Sequence, residues 1–240
     1  MNSQFSIFLA AAMLLSAGLS SCSKDSDNNN SSSSSGGGNN GGGGPAPAGW
    51  VDLALPSGRL WAECNVGATR PEDYGNYYAW GETDTKIVYS WSTYYHAQDD
   101  WNQLTKYCNK ADYGHNGFTD NLTVLQPSDD AATVNMGSPA RTPTREEWQE
   151  LLDNTTALWT TENGVYGLRL TASNDNSIFL PAAGSRWDTD LYDAGEYGYY
   201  WSASLYTDAP DDARHFRFNN DDQRMTYYYR HYGYTVRAIR

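Results

Sequence analysis

The alternation of apolar and polar residues predicts short strands arranged around one helix. Near residue 50 the sequence WVDLAL alternates, PSG supplies turn residues, and RLWA alternates again, which predicts an N-terminal β-hairpin. Further strands are predicted over residues 166–171, 177–180, 199–204, 214–218, 225–229 and 234–239, each bounded by turn residues. In the last of these, Val236 and Ala238 are predicted to face the core, whereas Thr235, Arg237 and Ile239 are predicted to face outward.

The segment RTPTREEWQELL, residues 141–152, carries the signature of a helix. Thr142 or Thr144 can cap its N-terminus, two glutamates occupy the first turn, and Trp148, Leu151 and Leu152 form an apolar stripe. Trp148 and Leu151 are therefore expected to be buried. Between residues 67 and 136 the chain is rich in Gly, Asn, Asp and Tyr without clear periodicity, which predicts long ordered loops. The predicted fold class is α+β, with one main helix packed on small antiparallel sheets.

The N-terminal residues indicate export and lipid anchoring. Residues 5–19 (FSIFLAAAMLLSAGL) form an apolar run that is too short to span a bilayer comfortably but is typical of a signal peptide. The run ends in LSSC, which resembles the lipobox of bacterial lipoproteins, although MNSQ at the start lacks Lys and Arg. Residues 1–21 are thus predicted to be a signal peptide, and Cys22 the lipidated first residue of the mature protein. An ordinary secreted protein with a chance cysteine is the alternative.

The segment after Cys22 predicts a tether on the outer membrane. SKDSD resembles the short signal that directs Bacteroidetes-type lipoproteins to the outer leaflet, so the protein is predicted to be exposed at the cell surface. Residues 28–44 contain only Asn, Ser and Gly, a composition that cannot bury surface and behaves as a flexible coil. We therefore divide the chain into a signal peptide (1–21), a lipidated linker (22–49) and one domain (50–240).

Composition narrows the function of that domain. The net charge of −13 argues against nucleic acid as a partner and against direct adhesion to an anionic membrane. Nine Trp and 19 Tyr predict a core built largely from aromatic rings. Cys64 and Cys108 either form a disulfide, which an exported protein permits, or Cys64 is simply buried on a strand.

Six segments of the domain resemble the Fibrobacter succinogenes major paralogous domain family. They are WVDLALPSGRLWAECNVGA, YGNYYAWGET, RTPTREEWQELL, SIFLPAAGSR, GYYWSAS and GYTVRAIR; they occur in family order and are spread over nearly all of residues 50–240. The resemblance implies a C-type-lectin-like fold, shared with formylglycine-generating enzymes and with the variable proteins of diversity-generating retroelements. It also implies a surface lipoprotein without a general enzymatic activity.

Enzymatic chemistry and metal binding find little support in the sequence. Formylglycine-generating enzymes need a reactive cysteine pair in the C-terminal half, and this chain has no cysteine after Cys108. HExxH, GxSxG and CxxC are absent, and the four histidines lack metal-ligand spacing. No catalytic residue, metal or cofactor is predicted, and a relative of those enzymes that has lost its cysteines is a disfavoured alternative. Asp129 and Asp130 either contribute to a calcium site or form a solvated acidic turn.

The C-terminal third interleaves scaffold-like residues with residues that binding surfaces favour. Tyr offers large contact area at low entropic cost, Arg offers forked donors, and Asn and Asp adapt their hydrogen bonds. The predicted ligand-binding residues are Tyr206, Asp208, Asp211, Arg214, Asn219, Asn220, Asp221, Asp222, Arg224, Tyr227, Tyr228, Tyr229 and His231. This set resembles the variable positions of retroelement-diversified receptors, because adenine-directed mutation of Asn codons can produce all of its residue types.

The predicted function is binding of an extracellular ligand through this C-terminal face. A protein ligand is favoured over a glycan, because most sugar-binding members of the lectin fold use calcium and no convincing calcium motif is present. The alternatives are a solvated, tyrosine-rich sheet edge and a structural component of a surface coat. Strand alternation places Tyr227 and Tyr229 on one face and Tyr228 with Arg224 on the other, and at least two of the three rings should be solvent-accessible.

Overall fold

A computed structural model of the protein describes residues 46–240. The predicted signal peptide, the lipidation site Cys22 and the linker up to residue 45 lie outside these residues. The end of the linker pairs with the domain, because the carbonyl of Gly49 accepts a hydrogen bond from the Glu63 amide at 2.9 Å. Within the described part of the chain, no helix has the length and apolarity needed to cross a membrane.

The domain consists mainly of small antiparallel sheets with few helices. The strands of residues 46–240 are β1 (Trp50–Asp52), β2 (Leu60–Asn65), β3 (Thr155–Glu162), β4 (Val165–Ala172), β5 (Ser177–Pro181), β6 (Ser185–Trp187), β7 (Asp190–Tyr192), β8 (Gly198–Leu205), β9 (Asp212–Phe218), β10 (Gln223–Tyr229) and β11 (Arg237–Ile239). The α-helices are α1 (Ala131–Met136) and α2 (Arg145–Asp153). The strand orders are β1-β2-β11, β3-β4-β5 and β10-β9-β8, with β6 and β7 forming a separate hairpin.

The predicted hairpin, loops and main helix are present. β1 pairs with β2 in antiparallel register, and residues 66–154 contain α1, α2 and short 3-10 turns but no named strand. Thr144 caps α2 and forms a capping box with Glu147. Trp148 and Leu151 are fully buried, and the Trp148 ring packs edge-on against Trp61 with ring centroids 4.8 Å apart. The stripe predicted from the sequence therefore anchors the helix in the core.

Helix α1 was not predicted from the sequence, in which its N-cap residue Asp130 was interpreted as part of a calcium site or an acidic turn. The carboxylate of Asp130 accepts hydrogen bonds from the amides of Ala132 and Thr133, as an N-cap does. Its neighbour Asp129 forms an ion pair with Lys106 at 2.6 Å. The two carboxylates thus face N–H donors and an ammonium group, which is the arrangement of a helix cap and an ion pair.

The C-terminal strand differs from its prediction. β11 is shorter than expected, and Thr235, Arg237 and Ile239 are buried instead of facing outward. The Arg237 guanidinium donates hydrogen bonds to the carbonyls of Ala62, Glu63 and Phe179 and to the side-chain oxygen of Asn65, at 2.7–3.0 Å. The alternation of buried and exposed residues is lost because other elements cover both faces of this segment. The buried Arg237 is compatible with this environment because its N–H groups satisfy the carbonyl oxygens that those elements direct at it.

Two further expectations from the sequence are corrected. Strands β3, β6 and β7 were not predicted, because their sequences mix Thr, Asp and aromatic residues without a clear period. The thiol of Cys108 is free and buried, and it donates a hydrogen bond to the carbonyl of Lys110 at 3.1 Å. Cys64 and Cys108 are therefore not joined to each other, because Cys108 turns into the loop that carries Lys110 while Cys64 lies on β2.

Candidate functional site

Strand β10 presents three tyrosines at the edge of its sheet. Tyr227 pairs with Arg214 on β9, Tyr228 with Ala213 and Tyr229 with Asp212. This register places Tyr227 and Tyr229 on one face and Tyr228 on the other, as the sequence predicted. Their exposed fractions are 43%, 43% and 40%, so all three rings are solvent-accessible. The expectation of at least two accessible rings is confirmed.

A cleft of about 480 Å³ lies on the Tyr228 face of the sheet. Its walls come from the β6–β7 hairpin, from strands β8, β9 and β10 and from the segment between β10 and β11. We call it the aromatic cleft; it is lined by Ser185, Trp187, Tyr192, Asp193, Tyr199, His215, Arg217, Arg224, Thr226, Tyr227, Tyr228, Tyr232 and Tyr234. The chain thus assembles it from five separate segments.

Four rings form a continuous aromatic path along this cleft. Trp187 stacks on Tyr232 with ring centroids 6.2 Å apart and an interplanar angle of 6°. Tyr232 meets Tyr228 edge-on at 4.9 Å, and Trp187 contacts Tyr192 at 6.0 Å. Trp187 and Tyr192 are 47% and 40% exposed, so the path presents aromatic surface to solvent. Mutual contact restricts the rotamers of these rings before any ligand arrives.

The inner side of the aromatic cleft is formed by half-buried and buried rings. The Tyr199 hydroxyl donates a hydrogen bond to the Asp193 carboxylate at 3.1 Å, and burial together with that carboxylate raises the pKa of Tyr199 to about 12. His215 is fully buried, with its ring centroid 4.9 Å from that of Tyr234. Burial lowers the pKa of His215 to about 3, so this imidazole is neutral at physiological pH. The inner side therefore presents uncharged rings with polar edges.

Two arginines supply positive charge to the cleft. Arg217 and Arg224 both contact one oxygen of Asp222, at 3.3 Å and 3.1 Å. The Arg217 guanidinium also lies over the ring of Tyr197, 4.6 Å from its centroid. Two guanidinium groups thus share the Asp222 carboxylate at one end of the cleft, while the Asp193 carboxylate lies beside Tyr199.

The opposite face of β10 carries a second aromatic cluster. Tyr206 stacks on Tyr227 with ring centroids 3.8 Å apart, and Arg214 lies 4.4 Å from the Tyr206 centroid. The interaction of Tyr206 with the Tyr227 hydroxyl raises the pKa of Tyr206. Tyr206, Arg214 and Tyr227, which are all among the predicted ligand-binding residues, therefore lie together on the face away from Tyr228.

The turn between β9 and β10 holds four more of the predicted residues. The side-chain oxygen of Asn219 accepts hydrogen bonds from the amides of Asp221 and Asp222, at 2.9 Å and 2.7 Å. Asn219 therefore shapes the turn, which leaves Asn220 and Asp221 exposed at its tip. Asn219 and Asn220 line a separate cleft of about 310 Å³ beside Trp159, outside the aromatic cleft.

Two predicted ligand-binding residues are buried, and a third lies away from the cleft. His231 packs against Trp91 with ring centroids 4.7 Å apart, and burial lowers its pKa to about 4. Asp211 is buried in the turn before β9, where its carbonyl accepts the amide of Arg230 at 3.0 Å. Asp208 is exposed, but Lys110 holds its carbonyl from the neighbouring loop. The prediction that His231 and Asp211 lie at the surface is wrong, because the loops of residues 80–110 cover this end of the sheet.

Of the residues that line the aromatic cleft, only Arg224, Tyr227 and Tyr228 were among the predicted ligand-binding residues. Trp187, Tyr192, Arg217 and Tyr232 line it without having been predicted. The available signal was WDTDLYD, in which two large aromatic residues stand among polar turn residues, an unusual place for rings that need burial. In residues 46–240 no group of three or more His, Cys, Asp or Glu side chains is arranged to hold a metal ion. No family model, curated protein or solved structure matches this chain.

Proposed function

We propose that this chain is a cell-surface lipoprotein whose domain has a C-type-lectin-like fold and binds an extracellular protein at the aromatic cleft. The lipobox-like sequence before Cys22 supports the anchor, and the order of the six family-like segments supports the fold. Small antiparallel sheets, one main helix and long ordered loops are compatible with that fold. The tether would hold the domain clear of the lipid headgroups.

One observation carries the binding role: partly exposed aromatic rings form a connected surface at and beside the aromatic cleft. Trp187, Tyr192, Tyr227, Tyr228 and Tyr229 are each about two-fifths or more exposed. A monomer rarely exposes so much contiguous aromatic surface unless a partner covers it. Trp, Tyr and Arg are also the residues that dominate binding energy in protein interfaces.

A protein ligand is favoured by the extent of the surface. The aromatic cleft continues across the edge of β10 to the Tyr206–Tyr227–Arg214 cluster, so a ligand that used both would contact two faces of the sheet. A glycan is the second candidate, and the parallel stack of Trp187 on Tyr232 favours it because sugar rings lie flat on such surfaces. A structural coat component would not need a cleft, which makes it the weaker alternative.

The test uses the full-length lipoprotein in proteoliposomes and a phage-displayed library of extracellular protein domains. Clones selected on the wild type are measured against Trp187→Ala/Tyr228→Ala and against Tyr95→Ala, a control with an exposed tyrosine that does not line the cleft. We expect the double variant to lose at least about ten-fold in affinity and the control to keep it, because a few aromatic anchors dominate such interfaces.

A glycan array with the same three proteins separates the two ligand classes. If the wild type and the Tyr95→Ala control bind glycans selectively and the double variant does not, the ligand of the aromatic cleft is a glycan and not a protein. Selected clones that bind the double variant as tightly as the wild type would contradict the proposed site.

A further inference from the structure

The outer edge of β10 is an open hydrogen-bonding edge. Within residues 46–240, β10 pairs only with β9. The amide of Asn219 bonds the carbonyl of Asp222, and the amide of Arg230 bonds the carbonyl of Asp211, at 2.9 Å and 3.0 Å. In antiparallel pairing, every second residue between these two bonds faces β9. The amides of Gln223, Met225, Tyr227 and Tyr229 therefore point away from the sheet.

This edge lacks most of the features that usually prevent strand addition, and Arg224 is its one charged residue. Proteins protect edges with Pro, Lys, bulges or covering loops. β10 contains neither Pro nor Lys, and its register with β9 is continuous from Gln223 to Tyr229. The carbonyl of Tyr229 accepts the amide of Tyr232 at 3.2 Å, so the edge closes only at its C-terminal end. The remainder is available as a template for another strand.

Clefts lie on both sides of this edge. The aromatic cleft lies on the Tyr228 face. A second cleft of about 570 Å³ lies on the Met225 face, between α2, the start of β3 and the start of β10. Its lining consists of Arg145, Gln149, Leu152, Thr155, Ala157, Gln223, Arg224 and Met225. A strand added beside β10 would direct alternate side chains into the two clefts.

Charge defines the chemistry of that strand. Arg224 lines both clefts, Arg217 lines the aromatic cleft and Arg145 lines the second one. The Nε atom of Arg145 is buried without a hydrogen-bond partner, and Glu146 approaches this guanidinium only at 3.6 Å. No acidic residue lines the second cleft. Arg145 and Arg224 thus line the second cleft without an acidic residue in its lining, a combination that favours an acidic side chain from the ligand.

We propose that the β10 edge binds an extended peptide segment of a partner protein by strand addition. Acidic side chains of the segment enter the second cleft, and apolar side chains enter the aromatic cleft. This inference rests on the proposed binding function and specifies its mode. In this mode of binding, main-chain hydrogen bonds along β10 supply affinity and the two clefts supply selectivity, a known division of roles in peptide recognition.

Two occupants from the chain itself fit less well. Residues 28–44 consist of Asn, Ser and Gly, so this segment has no apolar or acidic side chain for either cleft. In a second copy, β10 would bring QRMTYYY, which contains no acidic residue, against the same arginines. An acidic peptide from another protein is the better complement.

The experiment selects 12-residue peptides from a random phage-displayed library on the full-length protein. Their affinities are then measured for Tyr227→Ala and Tyr227→Pro. Both variants lack the ring, but only proline removes the outward amide, and it leaves the hydrogen bonds to β9 in place. We expect a loss of about ten-fold for alanine and about a hundred-fold or more for proline. Arg145→Glu should lose the acidic peptides selectively.

Hydrogen exchange on the wild type makes the test independent of the proline variant. Peptide binding should slow exchange at the amides of Met225 and Tyr227, whose N–H groups point away from β9 in the free protein. Equal losses for alanine and proline without slower exchange would overturn strand addition but leave the aromatic cleft as the site. Peptides that bind Trp187→Ala/Tyr228→Ala and both Tyr227 variants normally would refute the proposed function as well. Dimerisation of the peptide-free protein that Tyr227→Pro abolishes would make a second copy the occupant.

Discussion

Strands β10 and β11 lie close together in the sequence but have opposite environments. β10 pairs on one side only, and its three tyrosines are accessible. β11 pairs with β2, and every residue of it is buried, including Arg237. Residue type alone does not explain the difference, because each strand carries one arginine, which is exposed in β10 and buried in β11. The number of elements that cover a segment decides whether its side chains serve the core or the surface.

Arg237 and Arg224 show this difference in burial and in hydrogen bonding. Arg237 donates to three carbonyls and one side-chain amide oxygen, and it is fully buried. Burial lowers the pKa of Arg237 to about 10, which leaves the guanidinium charged at neutral pH. Arg224 has one ion pair, with Asp222, and its side chain is 58% exposed. Arg237 is therefore part of the scaffold, whereas Arg224 keeps donors available for a ligand.

The largest effect is expected where the core meets α2. Trp148→Ala should lower the free energy of unfolding by about 3–5 kcal/mol, because it removes a fully buried ring that packs on Trp61 and Phe216. Trp187→Ala is the matched control in the aromatic cleft and should change stability by less than about 1 kcal/mol. Urea denaturation of both variants measures the difference. Equal losses would show that the cleft is as much a part of the core as the helix is.

The second prediction compares the two arginines directly. Arg237→Met should destabilise the protein by about 2–4 kcal/mol, because buried carbonyls on β2 and β5 lose their donors. Arg224→Met removes an exposed ion pair and should change stability by less than about 1 kcal/mol. Thermal unfolding of the two variants under identical conditions tests this. A wild-type melting temperature for Arg237→Met would mean that water replaces the lost donors.

Local sequence signals predicted the elements whose stability is local. The caps of α2 and its Trp148–Leu151 stripe lie within one short segment, and so does the alternation that orients Tyr227 and Tyr228 on β10. β11 could not be predicted in this way, because the carbonyls that hold Arg237 belong to β2 and β5. An arginine in an alternating strand looks solvent-exposed until its distant acceptors are known.

The candidate site shows the same limit. Its exposed tyrosines were found because they are consecutive in sequence, but Trp187 and Tyr192 come from a hairpin about 40 residues earlier. His231 was expected at the surface and instead packs on Trp91, which a loop more than a hundred residues away contributes. Contacts over such separations depend on the complete fold, and residue type alone does not encode them.

The third prediction concerns pH and the end of β9 that pairs with Tyr229. Burial beside Asp211 raises the pKa of Asp212 to about 7. The folded state then holds this proton more tightly than the unfolded state, whose carboxyl titrates near 4. The stability that it contributes is fully present below about pH 4 and is lost as pH rises towards 7. Asp212→Asn imitates the protonated form and should remove this loss.

We expect Asp212→Asn to match the wild type near pH 4 and to exceed it by about 1–2 kcal/mol at pH 8, allowing for solvent screening of a half-buried group. Denaturation across this pH range measures the difference. Asp208→Asn, which removes an exposed charge from the same turn, is the control. A difference that does not depend on pH would show that Asp212 is ionised in the folded protein.

The smallest change in stability is expected for Tyr228→Ala, and it tests the comparison most directly. Tyr228 and Tyr234 are the same residue type and both line the aromatic cleft, but Tyr228 is 43% exposed and Tyr234 only 2%. Tyr234 packs on Trp201 with ring centroids 4.2 Å apart, so Tyr234→Ala should cost about 3–5 kcal/mol through the cavity it leaves. Tyr228→Ala should cost less than about 1 kcal/mol, because its ring contacts Tyr232 and Tyr229 at the rim.

Urea denaturation measures both values, and binding of the selected ligands is measured in parallel. If Tyr228→Ala is as damaging as Tyr234→Ala, the ring belongs to the fold and not to a binding surface. If Tyr228→Ala leaves the stability unchanged but lowers the affinity for the ligand, Tyr228 at the edge of the domain serves binding, whereas Tyr234 serves the core.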